Sequence, residues 1–179
     1  MEIIRNSAID AILARRSVRR YTAEKVSEAE LDTILQCGLW APSARNAQTT
    51  MLVLIGRDLI DELENEYMAT LEKVPGFMKG GFTYGAPHLI IAYDRDGTRW
   101  SGTNAALAVE NMTIAASALG LGSVQLGIIR EFMLSDAGRR WQKRFGVPDD
   151  YSFALSVAVG HQDGEAVTQP RNEANIIKL

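Results

Sequence analysis

The sequence predicts one domain that mixes α-helices with a β-sheet. Two observations carry that reading. Short apolar runs of strand length alternate with stretches in which apolar residues recur at three- and four-residue spacing, the mark of amphipathic helices. The chain has 179 residues, 46% hydrophobic and 23% charged, which suits one sizeable core and leaves little room for a second. A chain of this length buries roughly 70% of the surface it exposes when unfolded. No repeat or low-complexity linker divides residues 1–179.

The elements follow in order. Asn6 or Ser7 caps a first helix carrying Ile9, Ile12 and Leu13. It leads into Arg15-Arg16-Ser17-Val18-Arg19-Arg20-Tyr21. Ser27-Glu28-Ala29-Glu30 has capping-box spacing, with Glu30 reaching back to the cap amide. Leu31, Ile34, Leu35 and Leu39 form the stripe of that second helix, and Pro42 stops it. Residues 41–50 are polar and turn-like, and 51–55 read as a buried strand closed by Gly56. A third helix from Asp58 repeats Leu59, Leu63, Tyr67 and Leu71, and its run Asp61, Glu62, Glu64, Glu66 reads as a solvated face. Residues 74–87 are punctuated by glycine and proline, which predicts a lid, a binding loop or disorder.

Residues 88–93 form the second expected strand. Residues 103–119 form the longest helix, apolar around most of its circumference and therefore central or at a subunit contact. Gly120 ends it as a left-handed cap. Residues 122–129 read as a third strand, 131–145 as one helix stopped by Gly146 and Pro148, and 153–159 as a fourth strand. The last segment, 160–179, is polar and lacks a core of its own; it is either loose or docked on something else, such as another subunit.

Composition excludes several function classes. The formal charge is −3 and the pI is near 5.5, which argues against bulk nucleic-acid binding. No run approaches the roughly 20 apolar residues of a membrane-spanning helix. The opening MEIIRNSAIDAILARR has no signal-peptide core. The expectation is a cytoplasmic protein with no membrane and no nucleic-acid partner. The single cysteine, Cys37, cannot form an internal disulfide and reads as a small buried hydrophobe. His88 and His161 lack metal-ligand spacing, so no metal is expected.

Three segments are candidates for chemistry. Arg15, Arg16, Arg19 and Arg20 sit close together in an acidic chain. They either complement a helix C-terminus and solubilise a face, or bind an anion bidentately with Ser17 adding a hydroxyl; a nucleic-acid patch is a weaker third reading. Residues 41–48, Ala-Pro-Ser-Ala-Arg-Asn-Ala-Gln, are a helix stop and loop, or a set of neutral donors and acceptors in Ser43, Asn46 and Gln48 suited to a heterocycle edge. Gly120, Gly122 and Gly127 follow a helix with G-x-G-x-x-x-x-G spacing. That is not the dinucleotide fingerprint, and a Walker phosphate loop is absent. These glycines read as a helix end and a close backbone approach to a flat ligand near Gly127. No Ser–His–Asp arrangement is arguable, and no catalytic side chain is assigned.

Taken in order, residues 15–21, residues 41–48, Asn111 and the run Ala115-Ala116-Ser117-Ala118-Leu119-Gly120-Leu121-Gly122-Ser123 resemble the nitroreductase-like flavoprotein family over nearly the whole chain. The resemblance implies an α+β fold with a mostly antiparallel central sheet flanked by helices. It also implies an intertwined homodimer with FMN at the interface and residues 160–179 packed on the partner. By motif position, Arg15, Arg16 and Ser17 would hold the FMN phosphate and ribityl chain, and Arg19 would sit near the flavin N1/C2=O edge. Pro42, Ser43 and Asn46 would come from the other subunit. Gln125, Leu126 and Gly127 would lie beside the flavin, with a backbone N–H facing N5, and Arg171 would bind phosphate. Where many members follow the glutamine with Pro-Trp, this chain has Thr49-Thr50. The implied activity is ping-pong: NADH or NADPH delivers hydride to flavin N5, and a nitroaromatic, quinone or similar small aromatic acceptor takes the electrons. The alternatives are a reductive dehalogenase, which needs residues 74–87 to close over its substrate, and a non-catalytic FMN-binding or storage protein.

Overall fold

The strand at the centre of the sheet, β2 (His88–Arg95), is apolar on both faces. Successive side chains of a strand point to opposite sides. Leu89, Ile91 and Tyr93 accordingly enter one hydrophobic core while Ile90 and Ala92 enter another. The remaining strands are β1 (Thr50–Gly56), β3 (Gly122–Leu126) and β4 (Tyr151–Gly160). Their order is β1-β2-β4-β3, and every neighbouring pair is antiparallel. This computed structural model describes residues 3–97 and 99–178. Met1, Glu2, Thr98 and Leu179, which include both ends of the expected domain, lie outside the described residues.

Helices cover both faces, giving three layers. On one face lie α2 (Glu28–Leu39) and α4 (Thr103–Ala118), with α1 (Ser7–Ala14) joined to the end of α4 where the Ser117 hydroxyl donates to the Ala11 carbonyl at 3.0 Å. The α2–α4 contact is close because Gly38 faces Met112: a β-carbon at Gly38 would meet Met112 Cγ at 2.8 Å. Ile34 and Met112 are fully buried there, each contributing about 1.5–3 kcal/mol of apolar transfer. The capping box at Ser27 forms as the sequence predicts, with Glu30 accepting from the Ser27 amide at 2.9 Å. Asn6 is the cap of α1.

The other face carries α3 (Arg57–Ala69), α5 (Arg130–Leu134) and α6 (Asp136–Arg144). Here the structure corrects the sequence reading in four places. The helix expected over 131–145 is two. Ser135 caps α6 by accepting from the Gly138 amide, and Gly138 sits so close to the Met133 carbonyl that a β-carbon would lie 2.2 Å from it. The third strand stops at Leu126, since the Gly127 carbonyl already accepts from Arg130 N in the next turn. Within residues 74–87 four residues, Met78, Phe82, Thr83 and Ala86, are buried and so anchor the segment, while Phe77 stays exposed. Finally, Glu64 leaves the solvated face expected for its run. It is buried, accepts from Arg57 at 2.6 Å, and accepts from the Thr83 amide and hydroxyl at 2.8 and 2.7 Å. Cys37 is only partly buried.

Candidate functional site

Residues 15–21 leave α1 as an extended segment laid along the end of the sheet. Val18 N donates to the Ser123 carbonyl at 2.9 Å, and Ser17 bridges Ser123 in parallel. Further on, Thr22 N donates to the His161 carbonyl and Asp163 N to the Arg20 carbonyl. Val18 is the buried side chain of the segment, so its neighbours Ser17 and Arg19 face outward. The alternation is that of a strand with one covered face. Gly122 is required beneath it, because a β-carbon there would meet Val18 Cγ1 at 2.8 Å. Tyr21 ties the segment down by donating its hydroxyl to the Val18 carbonyl at 2.9 Å. Burial pushes the Tyr21 phenol well above its ordinary value, with Arg19 opposing, so this donor stays protonated.

The start of the tail returns across this segment and closes a cavity of about 430 Å³. Arg15, Arg16, Ser17 and Arg19 line it from one end of the chain and Arg171 from the other. An adjoining cavity of about 480 Å³ shares Arg15 and Arg16 and adds Ser117 and Ser123. The charges here are only partly balanced by acids, since Asp163 and Glu165 line the cavity beside five arginines, Arg15, Arg16, Arg19, Arg20 and Arg171. Arg20 pairs with Asp163 at 2.9 Å and Arg15 approaches Glu110 at 3.7 Å. Arg16 donates to the Leu13 and Arg15 carbonyls and to the Thr168 hydroxyl. Among the described residues no carboxylate lies within ion-pair distance of Arg16, Arg19 or Arg171. Converging guanidinium groups in excess of their carboxylate partners, beside a serine hydroxyl, are a donor set for a phosphate or other multivalent anion.

Glu110 extends the site towards β3. Its carboxylate accepts from Gln125 Nε2 at 2.7 Å while facing Arg15, so the arginine segment and the end of β3 share one polar surface. Gln125 and Gly127 are exposed there. Leu126 is different: its side chain is buried in the core and its carbonyl accepts from the Ser156 hydroxyl at 2.9 Å. Nothing within the chain demands a glycine at 127, since a β-carbon would meet only Leu155 Cδ1 at 3.8 Å.

Pro42, Ser43 and Asn46 do not join the arginine cavity. Pro42 and Ser43 line a separate cavity of about 150 Å³ with Gln48 and Asn104. Asn46 lies on the adjoining short 3-10 turn, Ala44–Asn46. This turn is strained. Arg45, Asn46 and Gln48 all have left-handed backbones, with φ of 58°, 54° and 48°, a state that non-glycine residues adopt only when their surroundings enforce it. The enforcement comes from Asn104 on α4, which accepts from Ala44 N at 3.3 Å and donates to the Thr49 hydroxyl at 3.1 Å. The Ser43 hydroxyl accepts from Gln48 N at 2.9 Å. Sequence reasoning singled out neither Asn104 nor Glu110. Both are polar residues set in an otherwise apolar helix, which is the signal that marks them.

Comparison with known proteins now decides the relationship. The family model described as Nitroreductase family matches residues 12–161. The chain belongs to the nitroreductase family. A nitroreductase of Bacteroides fragilis, solved with bound FMN, superposes with a TM-score of 0.87 at 26% identity, covering 98% of this chain and 99% of that one. The NADPH-flavin oxidoreductase of Vibrio harveyi is 26% identical over 96% of this chain and 72% of its own length. An FMN reductase of Bacillus subtilis, named for NAD(P)H, is 26% identical over 93% of this chain and 70% of its own. The nitroreductase fold, with helices packed on an antiparallel sheet, is therefore the fold of this chain. Among the described residues no helix is long and apolar enough to cross a membrane.

Proposed function

We propose that the protein is an FMN-dependent, NAD(P)H-oxidising reductase of small aromatic acceptors. One observation carries the reading: Arg15, Arg16, Ser17 and Arg19 meet Arg171, from the far end of the chain, on a single cavity where arginines outnumber the acids Asp163 and Glu165. That donor set fits the phosphate of a flavin mononucleotide. Arg15, Arg16, Ser17 and Arg171 would hold the phosphate and ribityl chain. Arg19 would stand at the N1/C2=O edge, where a cation stabilises the negative charge of a reduced ring. Gln125 at the end of β3 and Gly127 just beyond it would border the ring, and a backbone N–H there would face N5. Leu126 would contribute through its backbone, because its side chain belongs to the core. When bound, FMN supplies the redox chemistry, accepting electrons from NADH or NADPH and passing them to a nitroaromatic, quinone or related acceptor in separate ping-pong half-reactions. The protein's residues bind, orient and tune charge; no side chain is asked to act as acid or base.

The site is completed by a second copy. Pro42, Ser43 and Asn46 lie away from the arginine cavity of their own chain, which fits donation of this turn to the partner. Leu39, Trp40 and Leu107, on and beside α2 and α4, are 57%, 83% and 41% exposed. Large apolar side chains left out at that density mark an interface. Of the expected partner-packed segment 160–179, residues 160–171 instead pack on their own chain's arginine segment; only the tail beyond Arg171 would lie over the partner, where Ile176 and Ile177, both exposed in the single chain, find cover. The dehalogenase alternative asks residues 74–87 to close over a substrate, whereas Met78, Phe82 and Ala86 are committed to the core. The reductase reading is tested on the protein as isolated. It should be yellow, and anaerobic NADH or NADPH should bleach it, with colour restored by a quinone or nitroaromatic. A colourless protein that FMN cannot reconstitute contradicts the reading, and FMN binding without reduction by either nicotinamide favours storage.

A further inference from the structure

We infer that Tyr84 is a positioning residue for Arg19, and that Tyr84 is itself held by the anchoring of residues 81–86 to α3. The inference rests on the reading of Arg19 as the cation at the flavin edge. Arg19 is exposed and has no carboxylate partner among the described residues. Two contacts hold its guanidinium. One is a long hydrogen bond to the Ser17 carbonyl at 3.5 Å, and the other is the face of the Tyr84 ring, whose centroid lies 5.8 Å from Cζ. An arginine stacked on an aromatic face keeps its charge and loses much of its freedom, so less ordering remains to be done when an anionic edge arrives.

Tyr84 is held in place at a conformational cost. Its φ is 57°, an uncommon state for an aromatic residue and one that persists only where neighbours over-determine it. The neighbours are explicit. Thr83 gives both its amide and its hydroxyl to Glu64. Arg57 donates to Glu64 at 2.6 Å, to the Ala86 carbonyl at 2.9 Å and to the Thr83 hydroxyl at 3.2 Å. Gly81, with φ of 89°, lies against the same carboxylate, where a β-carbon would come within 2.2 Å of Glu64 Oε2. Residues 81, 83 and 86 are thus tied to α3 on both sides of Tyr84. The buried Glu64 has no other evident use, and its effect is to set the ring that sets Arg19.

The test uses the FMN-loaded protein and its variants, reading FMN affinity and flavin midpoint potential. Tyr84→Asn removes the ring while tolerating the left-handed backbone; Tyr84→Phe keeps the ring and removes only the hydroxyl. The expected result is that Tyr84→Asn weakens FMN binding roughly two- to fivefold and moves the potential towards that of Arg19→Ala. Tyr84→Phe should match wild type, and Arg19→Ala/Tyr84→Asn should be no weaker than Arg19→Ala. A wild-type potential in Tyr84→Asn, or full additivity in the double variant, overturns the positioning role. Wild-type protein that binds no FMN overturns the function reading and this inference with it, whereas FMN binding with unchanged behaviour in every Tyr84 variant overturns this inference alone.

Discussion

Val18 rests directly on Gly122, with no room for a β-carbon between them. That contact sets the height at which Ser17 and Arg19 emerge beside β3. Gly122→Ala should cost about 1–3 kcal/mol of stability by overpacking, and it should weaken FMN binding because it displaces the segment that carries the arginines. Urea denaturation and flavin fluorescence titration read the two effects. A destabilised protein with unchanged FMN affinity would separate the contact from the site.

Asn104 holds the strained turn that the proposed function assigns to the partner's site. Asn104→Ala removes both hydrogen bonds that hold the strained turn, at about 1–2 kcal/mol. The three left-handed residues then have less to enforce them. FMN affinity should fall while the helical circular dichroism signal stays near wild type. Affinity equal to wild type would show that the shape of this turn does not matter to the cofactor.

Glu64 anchors residues 81–86, directly at Gly81 and Thr83 and through Arg57 at Ala86. Breaking a buried ion pair by deleting one partner leaves the other uncompensated, so Glu64→Ala should lower stability by about 3–5 kcal/mol. Arg57 is partly exposed and retains Asp61 as a partner, which places the cost towards the lower end. Limited proteolysis within 81–86 should then be faster than in the wild type. Unchanged denaturation and proteolysis would mean the network is not what holds the loop.

His88 makes stability depend on pH. Burial, together with the Lys25 charge, lowers its pKa below the ordinary 6.5, and its Nε2 is buried without a hydrogen-bond partner among the described residues. The folded protein keeps His88 neutral where the unfolded chain would take up a proton, so stability falls as pH drops below 6.5. A melting temperature measured from pH 7.5 to 5 should decline less steeply in His88→Gln than in wild type. Parallel curves would remove His88 from the acid sensitivity.

Much of this was legible in the residues themselves. The capping box at Ser27, the left-handed Gly120 and the four apolar strands follow from local spacing, and the structure has them. What local spacing does not carry is direction. Glu64 sits in an acidic run that looks solvated, and only the approach of Thr83 and Arg57 turns it inward. The break at Ser135 depends on the Gly138–Met133 contact, which periodicity does not report. The left-handed states of Arg45, Gln48 and Tyr84 are imposed by tertiary partners on residues with no preference for them, Asn46 alone being of a type that favours that state. The meeting of Arg171 with Arg15 and Arg16 follows only from the family resemblance; spacing and periodicity within the tail do not encode its return.

The most direct measurement is a fluorescence titration comparing FMN with riboflavin, which has the same ring and no phosphate. If the guanidinium cluster grips a phosphate, the apoprotein should bind FMN roughly a hundredfold or more tightly than riboflavin, since charge-assisted hydrogen bonds contribute about 1.5–3 kcal/mol each. Rising salt and Arg16→Ala should each narrow that gap. Equal affinity for the two flavins, or no affinity for either, would contradict the assignment of this cavity.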